Sequence, residues 1–527
     1  MTRPGVEHDA QKHRVGSSTD GSNTAERVEA GHHAPDHDHV KAYSIYTSSE
    51  KWFIVAVAAF ASLFSPFTAN IYFPAIPTIA AAFHKSTEDI NLTVTVYLIV
   101  QGLSPIFWGT LADRWGRRPM FLGCLLVLFL SCIGLALIPT DAYWALMVLR
   151  CVQAAGSAST VALGAGVIAD IAAPYERGTY FGFWNVGPMV GPCVGPVLGG
   201  VLAENLGWRS IFWFLVIASA VCFVVILLFL PETLRAFVGD GSIPPPRFYY
   251  PLIPIVGRNR QKVTPQDPST RPARRRFNNP LILFLYPDIL LLLFFNGMIY
   301  SVFYAVTISI STLFKSSYTF LNETDIGLCF LAIGGGMLIG GVITGRVLDY
   351  EYRRVKNQMF AKFAIETDPE KKVRPEDVTK DENFPIEKAR LRLMPFYFGL
   401  FVVATIVYGW TLDAGTNIAG PLISSIFVGY AVVANMNVTQ TLIVDLVPGQ
   451  SAAVTACNNM VRCSLGAVMV SVINPILNAM GPGWTYVLLP GICVVLSPIM
   501  IFTYHIGPRW RARRRARRQA REAATAS

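Results

Sequence analysis

The stretch of sequence that decides the fold is Gly109–Pro119, which reads GTLADRWGRRP. It follows an apolar run that is long enough to cross a lipid bilayer as a helix. A second stretch, Gly345–Arg354, reads GRVLDYEYRR and follows another run of this kind. Both stretches have the pattern G-x-x-x-D-x-x-x-R-R. Since the pattern occurs once in each half of the chain, it indicates two related halves.

Apolar runs dominate the rest of the chain. Hydrophobic residues make up 52% of the sequence and charged residues 15%, whereas about a quarter of the residues of a soluble globular protein are charged. The runs with the length of a transmembrane helix lie at 52–74, 89–111, 120–138, 143–170, 179–203, 209–230, 284–313, 325–348, 391–411, 420–446, 453–479 and 484–506. They predict an all-α polytopic membrane protein with twelve transmembrane helices in two six-helix bundles.

Basic residues predict the orientation of these spans. Of the 44 Lys and Arg residues, only Lys85, Arg209 and Lys315 fall on one side of the membrane, and Arg150 and Arg462 lie within spans. The remaining 39 fall on the other side, which is the cytoplasmic side by the positive-inside rule. Both termini are therefore predicted to be cytoplasmic. The same bias accounts for most of the net charge of +10, so we expect contact with membrane lipid and no nucleic-acid partner.

Composition divides the chain into five regions. The predicted regions are a disordered cytoplasmic tail at 1–50, an N-terminal bundle at 51–230, a Pro- and Arg-rich cytoplasmic loop at 231–283, a C-terminal bundle at 284–506 with a charged cytoplasmic insert at 350–390, and a basic cytoplasmic tail at 507–527. The nine cysteines have no paired spacing. No disulfide or metal framework is therefore expected, and no cofactor.

The Gly109–Pro119 stretch resembles the signature between helices 2 and 3 of the major facilitator superfamily. The ends of the fourth and tenth spans also correspond, since Asp170 and Asp445 are each followed closely by a proline. The resemblance implies a charge network that holds the outward-facing state shut on the cytoplasmic side, and Gly109 would let the second helix approach a neighbour closely. The expected members of the network are Gly109, Asp113, Arg114, Arg117, Arg118, Asp170, Asp349 and Asp445.

A run of glycine and proline lies in the fifth span. It begins at Gly187 and reads GPMVGPCVGPVLGG. Prolines remove backbone donors and glycines remove side-chain bulk, so this helix is expected to bend and to pack closely. The run resembles the superfamily's antiporter motif, which implies export by proton antiport with the proton gradient as the energy source. Its motif positions are Gly187, Pro188, Gly191, Pro192, Gly195, Pro196 and Gly199.

Several other stretches narrow the resemblance. The runs Asn70–Pro74, Gly164–Ile171 and Pro231–Arg235 are similar to fungal twelve-span drug:proton antiporters of the quinidine-resistance type. That group also contains polyamine, dityrosine and citrate exporters, so the substrate does not carry over. The resemblance implies a monomer in the plasma membrane.

Polar and aromatic side chains within the spans are the candidates for a substrate cavity. Arg150 and Gln153 resemble the family's R-x-x-Q-x-x-G motif, and an arginine inside a span is a functional candidate unless it reaches the membrane surface. Each of the other candidates either faces the cavity or joins helices. The candidates are Asn70, Tyr97, Gln101, Arg150, Gln153 and Asn185 in the first half, and Asn296, Tyr300, Tyr304, Asn435, Asn437, Gln440, Asn459 and Arg462 in the second.

No carboxylate lies near the middle of a predicted span. Two arginines without a central acid favour an anionic or neutral amphipathic substrate over a polyamine. The citrate-type relatives carry an Arg within the helix 5 motif, and Val186–Gly191 has none, which weakens the citrate interpretation. The proton carrier is then Asp113 or Asp170, or Arg150 acts through displacement. Asn322 begins a glycosylation sequon in an outer loop.

The sequence favours a secondary active exporter of a small organic molecule, either a xenobiotic, a secondary metabolite or an organic anion. Alternatives are a dedicated polyamine or carboxylate exporter, secondary uptake by the same fold, and a transporter-like nutrient sensor. An ATP-driven pump is disfavoured because the chain has no G-x-x-x-x-G-K-[ST] loop. No group of side chains predicts an enzyme.

Overall fold

The computed structural model describes residues 43–173, 176–254, 256, 280–366, 384–447 and 451–526. Within this part of the chain, eleven helical stretches are long and apolar enough to cross a membrane. The last of them contains Gly481, whose φ of 73° and ψ of 168° interrupt the helix. Dividing this stretch at Gly481 gives twelve spans. The predicted fold class is confirmed.

The spans are numbered here in chain order. Spans 1 to 6 are Ser48–Asn70 with a 3-10 turn at Phe73–Ala75 and the helix Ile76–Phe83, then Thr87–Trp115, Arg117–Leu137, Tyr143–Ser157 with Ser159–Ile171, Arg177–Trp184 with Val186–Leu206, and Arg209–Phe229. Spans 7 to 10 are Pro287–Ser317, Glu323–Glu366, Met394–Asp413 and Ala419–Leu446. Spans 11 and 12 share the helix Ser451–Leu496, and span 12 continues as Pro498–Ala526.

Short helices lie outside the spans. They are Arg235–Val238, the 3-10 helices Arg247–Tyr249 and Pro280–Leu285, and Ile386–Leu391 before span 9. Most of the predicted tail 1–50, much of the predicted loop 231–283 and a large part of the predicted insert 350–390 lie outside the described residues.

The ends of several spans differ from the sequence prediction. Gly109–Trp115 is the last part of span 2, and span 3 begins at Arg117. The prediction of a loop at Gly109–Pro119 is therefore wrong, because the turn between spans 2 and 3 consists of Gly116 alone. The helix continues past the apolar run because polar residues also form helix until a residue with a non-helical backbone ends it. Span 12 likewise continues as a helix through the basic segment to Ala526. This segment is rich in the helix formers Ala and Arg.

Capping residues fix where the spans begin. The Thr47 hydroxyl accepts the backbone N–H of Glu50, and the Glu50 carboxylate accepts the N–H of Thr47. Ser86 and Asp89 form the same capping box at the start of span 2. Such boxes satisfy the free N–H groups of a helix start. They therefore place span boundaries that the apolar pattern leaves undefined.

The two halves meet along two pairs of spans. Span 5 packs on span 8, and span 2 packs on span 11. At the predicted outer end, Ser311 donates to the carbonyl oxygen of Phe73 at 2.9 Å, and the N–H of Thr324 donates to Glu204 at 2.8 Å. The Thr78 hydroxyl also donates to the Glu323 carboxylate. These hydrogen bonds form an outer seal between the halves.

Contacts between the halves continue to mid-span. The hydroxyl groups of Thr95 and Ser471 lie 2.9 Å apart, and Asn459 donates to the carbonyl oxygen of Gln101 at 2.9 Å. Spans 5 and 8 also contact each other further toward the predicted cytoplasmic side, where a Cβ atom at Gly341 would overlap the side chain of Met189. The halves are thus joined at the outer end, at mid-span and, through spans 5 and 8, beyond it.

Candidate functional site

Arg117 is the centre of the charge network in the first half. Its Nη2 lies 2.8 Å from Oδ1 of Asp113, and its Nε lies 3.0 Å from Oδ2 of Asp170. The side chains of Arg117 and Asp170 are 13% and 14% exposed, whereas that of Asp113 is 50% exposed. Since burial strengthens an ion pair, the bond to Asp170 is the stronger of the two. The structure therefore joins three of the predicted network residues.

Glu232, which was not a predicted member, completes this network. Its carboxylate is fully buried and accepts the backbone N–H groups of Arg117, Arg118, Thr233 and Leu234 at 2.9 to 3.2 Å. The first two N–H groups are the start of span 3, where a helix has free donors and a partial positive charge. Burial raises the pKa of Glu232, while the four N–H donors act in the opposite direction.

Gly116 allows Glu232 to approach span 3. Its φ is 103° and its ψ is 156°, a region of backbone conformation that is essentially restricted to glycine. A Cβ atom at this position would overlap the carboxylate of Glu232. The turn between spans 2 and 3 therefore needs glycine both for its backbone angles and for the space beside it.

Arg118 and Arg114 lie outside the ion pairs of this network. Arg118 is buried and donates to the carbonyl oxygens of Leu227 at 2.8 Å and Phe248 at 3.3 Å. It thereby holds the segment after span 6 against the start of span 3. Arg114 is exposed.

The second half has a different network. Asp445 binds Nε of Arg390 at 2.9 Å, and the Arg390 guanidinium lies 4.6 Å from the ring centroid of Tyr352. Arg390 belongs to the short helix before span 9 and was not a predicted member. Glu351 is buried and binds Arg354 at 3.3 Å and Arg392 at 3.2 Å.

Asp349 does not take part in this second network. Its side chain is exposed, and no ion pair joins it to another of the residues that the structure describes. Span 8 continues as a helix to Glu366. Without a turn after Asp349, the arginines that follow stay on this helix, and Asp445 is bound by Arg390 instead.

The signature glycines do not make the predicted close contacts in this conformation. Around the Cβ position of Gly109, and equally of Gly345, no atom of another described helix lies within 4 Å. The close approach expected of Gly109 is therefore not made in this conformation.

The glycines of the fifth span form a stripe along span 1. A Cβ atom at Gly187 would overlap the carbonyl oxygen of Ala59, and one at Gly199 would overlap that of Ile71. Gly191 and Gly195 face the same helix. Pro192 and Pro196 lie inside the helix Val186–Leu206, which the described backbone continues without a break. The spacing of four residues thus buries one glycine face against span 1.

Arg150 is enclosed by two tyrosine rings. Its guanidinium carbon lies 4.2 Å from the ring centroid of Tyr72 and 4.3 Å from that of Tyr97. Its Nη1 donates to Oε1 of Gln153 at 2.6 Å, while Nε and Nη2 have no hydrogen-bond partner in the described structure. The residue is 0% exposed. It does not reach the membrane surface, and its charge is stabilised by cation–π contacts instead of a carboxylate.

Arg462 has a similar environment in the second half. Its Nη2 donates to Oδ1 of Asn459 at 2.7 Å, and its guanidinium lies 4.3 Å from the ring centroid of Tyr300. The ring of Tyr304 packs on that of Tyr300. The Nε of Arg462 has no partner among the described residues, and the side chain is partly exposed. Unlike Arg150, this arginine lies where the two halves meet, since Asn459 also bonds to span 2.

The remaining cavity candidates divide into two groups. Asn70 and Asn435 donate to carbonyl oxygens of their own helices. A chain of hydrogen bonds runs from Asn296 through Asn458 and Gln440 to Thr455, which joins spans 7, 11 and 10. The chain from Asn296 to Thr455 fits the alternative interpretation, in which polar side chains join helices. Asn458 was not among the predicted candidates.

Three further candidates lie at other positions. Gln101 is buried beside Ser65, and its Oε1 lacks a hydrogen-bond partner in the described structure. Asn185 is exposed at the break between Trp184 and Val186 in span 5. Asn437 is partly exposed. The backbone carbonyl oxygen of Gln101 accepts a hydrogen bond from the side chain of Asn459, which also accepts one from Arg462.

Asn322 lies at the outer seal. Its Oδ1 accepts the backbone N–H of Asp325 at 2.7 Å and thereby caps span 8. The residue is exposed. Its glycosylation stays a prediction.

The basic segment after span 12 packs on the second half. Arg511 lies 3.4 Å from Glu387, and Arg514 lies 3.1 Å from Asp288. Arg509 and Arg513 are exposed. The predicted contact with membrane lipid is therefore left to the arginines on the exposed side of this helix.

Comparison with known proteins identifies the family. The model of the Major Facilitator Superfamily matches residues 58–365. The chain belongs to the major facilitator superfamily. It is accordingly a multi-pass membrane transporter and not an enzyme. The xylose transporter XylE from E. coli, in a partially occluded inward open conformation, has the same fold with a TM-score of 0.58 at 12% sequence identity, over 86% of this chain and 99% of XylE.

Curated relatives of this facilitator are fungal transporters. Citrate exporter 1 of Aspergillus niger is 38% identical over 482 residues, which cover 91% of this chain and 90% of the relative. The MFS-type transporter tstD of Talaromyces stipitatus is 35% identical, over 89% of this chain and 84% of the relative. The multidrug transporter AQR1 of Candida glabrata is 32% identical, over 95% of this chain and 83% of the relative.

Proposed function

We propose that this protein is a secondary active exporter that moves a small organic anion out of the cytoplasm in exchange for protons. The observation that carries the proposal is the state of the two intramembrane arginines. Arg150 and Arg462 each donate to a side-chain amide and lie over tyrosine rings, and no carboxylate pairs with either among the described residues. Such a cation in a membrane protein attracts an anionic ligand.

Of the two arginines, Arg462 is the proposed first contact of the substrate. The residue is partly exposed, although its Nε is buried and has no hydrogen-bond partner in the described structure, and it lies at mid-span beside the junction of spans 2 and 11. Arg150 is fully buried behind Tyr72 and Tyr97. A substrate reaches Arg150 only if these rings move, so we assign Arg150 to coupling and not to initial binding.

The direction of transport rests on two observations. The glycine stripe of span 5 resembles the antiporter motif, and it packs along span 1 over its whole length. Among the relatives, one is named an exporter and another a multidrug transporter. Both observations support export. We further propose that the protein acts as a monomer in the plasma membrane.

Alternating access supplies the proposed mechanism. The outer seal is closed in the conformation described above, so it must open before the substrate is released outside. We propose that proton exchange at Asp170, which shares Arg117 with Asp113, links this opening to the proton gradient.

Two measurements test the proposal. Membrane vesicles with the cytoplasmic face outward and an acidic interior should accumulate an organic anion only when the protein is present, and should not accumulate a polyamine. Metabolite profiling of the medium of cells with and without the protein should show one or more secreted acids that depend on it. Accumulation of polyamines but not of anions would contradict the proposal.

Xenobiotic efflux is the second candidate, because the multidrug transporter AQR1 is similar over 95% of this chain. Cells that lack the protein would then be sensitive to hydrophobic drugs while their acid secretion stays normal.

A further inference from the structure

An apolar groove lies between the two halves on the outer surface of the spans. It has a volume of about 450 Å³, and span 2 forms one wall while span 11 and the short helix before span 7 form the other. Its lining side chains include Leu103, Phe107, Thr110, Leu281 and Met460. The hydroxyl group of Thr110 donates to the carbonyl oxygen of Ile106 in its own helix at 2.7 Å. The lining therefore offers apolar contacts and no free polar partner from this hydroxyl.

The groove belongs to the face of span 2 that is turned toward lipid. Leu103 and Phe107 are 49% and 63% exposed, and Leu92 and Ile99 are exposed within the same sector of about 80° of the helix. Gln101 is buried and lies about 160° around the helix from Leu103. The groove and the candidate site at mid-span are thus on opposite sides of span 2. Apolar surface that is exposed on the outside of a membrane span is a surface for lipid chains.

A cation lies at the cytoplasmic end of this face. Arg114 follows Leu103 by eleven positions, which places it about 20° around the helix and about 16 Å along it. Its side chain is exposed, and it forms no ion pair with another of the described residues. The neighbouring Trp115 is 57% exposed, and exposed tryptophans at span ends are typical of the head-group level. The distance from Leu103 to Arg114 corresponds to one leaflet of a hydrocarbon core of about 30 Å.

We propose that the groove is a binding site for an anionic phospholipid of the cytoplasmic leaflet. One acyl chain lies along Leu103 and Phe107, against Met460 and Leu281, and the head group binds Arg114. A zwitterionic phospholipid has the same chains but no net charge to match this guanidinium. A basic residue near the membrane surface favours the anionic lipid about fivefold. Since the two walls belong to different halves, the bound lipid contacts both of them.

Photo-crosslinking in lipid vesicles tests this proposal. The protein is reconstituted in phosphatidylcholine with a trace of phosphatidylserine that carries a photoreactive group in its acyl chain, or with the corresponding phosphatidylcholine probe. We expect the phosphatidylserine probe to label Leu103–Leu111 and the segment around Met460 about fivefold more strongly than the other probe. The face of span 9 around Val403, which is 60% exposed, should show no such preference.

Variants of the two ends of the site sharpen the test. Arg114→Gln should reduce the preference to about one, whereas Arg509→Gln, which removes another exposed cation, should keep it. Leu103→Asn should lower labelling of the groove by both probes at least about threefold. Val403→Asn is the matched control for a polar side chain on an exposed face and should leave labelling of the groove unchanged. Unaltered labelling of other spans shows that each variant is inserted and folded.

Three outcomes would overturn the proposal. Equal labelling of the groove by the two probes would mean that it holds ordinary boundary lipid. A preference that persists in Arg114→Gln would mean that the head group binds elsewhere. Labelling of span 9 without labelling of the groove would mean that another helix, such as one of a second copy, covers it. None of these measurements involves transport, so their results are independent of the proposed function.

Discussion

In the first copy of the G-x-x-x-D-x-x-x-R-R pattern, Asp113 binds Arg117 and is linked through it to Asp170. In the second copy, Asp349 is exposed, and the end of span 10 is held by Arg390, which lies outside the copy. The two copies align without a gap, and Gly116 in the first corresponds to Tyr352 in the second.

This one position explains the different contacts. Gly116 ends span 2 and turns the chain, so Arg117 starts a new helix and faces back toward Asp113 and Asp170. Tyr352 continues the helix of span 8, and its ring receives Arg390. The pattern alone therefore does not define the network. The residue that permits the turn decides which side chains can meet.

Removal of Glu232 should break the first network most severely. In Glu232→Ala, four backbone N–H groups lose a buried acceptor, so we expect a loss of stability of about 3 to 5 kcal/mol. Thermal unfolding in detergent measures this loss. The matched control in the second copy is Asp349→Ala, which should leave the unfolding temperature unchanged. Equal unfolding temperatures for the two variants would contradict the proposed difference.

The next prediction concerns the addition of a Cβ atom at Gly116, in the turn between spans 2 and 3. Gly116→Ala introduces an unfavourable backbone conformation and an overlap with Glu232, for which we expect a cost of about 2 to 3 kcal/mol. Gly345→Ala adds a methyl group to open space within a helix and should be neutral or slightly stabilising. The same unfolding measurement compares them. A neutral Gly116→Ala variant would show that the turn does not need glycine.

The carboxylates at the ends of spans 4 and 10 test proton coupling. Asp170→Asn removes the carboxylate that pairs with Arg117, so proton-driven accumulation in inverted vesicles should fall at least about tenfold. Asp445→Asn removes a partner of Arg390, which belongs to the other network, and should retain coupling. Substrate exchange measured without a proton gradient serves as the control for substrate binding. Unchanged coupling in Asp170→Asn would reject Asp170 as the coupling residue.

The smallest effect is expected for the acids of the two copies themselves. Asp113 is half exposed, so Asp113→Asn should cost about 0 to 1 kcal/mol. Because exposed pairs are screened by salt, this difference should shrink at high ionic strength. Asp349→Asn should have no effect at any salt concentration. Unfolding at two salt concentrations measures both, and equal losses in the two variants would mean that the copies act alike.

The spans and the duplication could be predicted from the sequence because they depend on local properties. Apolar length defines a span, and basic residues define its orientation. The glycine face of span 5 was predictable in the same way, since glycines at every fourth position lie on one side of a helix. Capping residues such as Thr47 and Ser86 refine the span ends.

The site was less predictable because its contacts are made across the fold. Glu232 reaches the start of span 3 from the segment after span 6, and nothing in its local sequence indicates this partner. Arg390 reaches Asp445 in the same way. Arg150 and Arg462 could be predicted as buried cations, but the tyrosine rings that enclose Arg150 come from other spans. The different exposure of the two arginines therefore emerges only from the structure.

The most direct test of the account is anion transport by variants of Arg462. Inverted vesicles with an acidic interior are supplied with hexanesulfonate, and Arg462→Gln and Arg462→Lys are compared with the wild type. The exposed Arg509→Gln variant is the control for loss of one positive charge. We predict that Arg462→Gln lowers accumulation at least about tenfold, that Arg462→Lys retains more activity, and that Arg509→Gln equals the wild type. Wild-type accumulation by Arg462→Gln would contradict the assignment of Arg462 as the anion-binding residue.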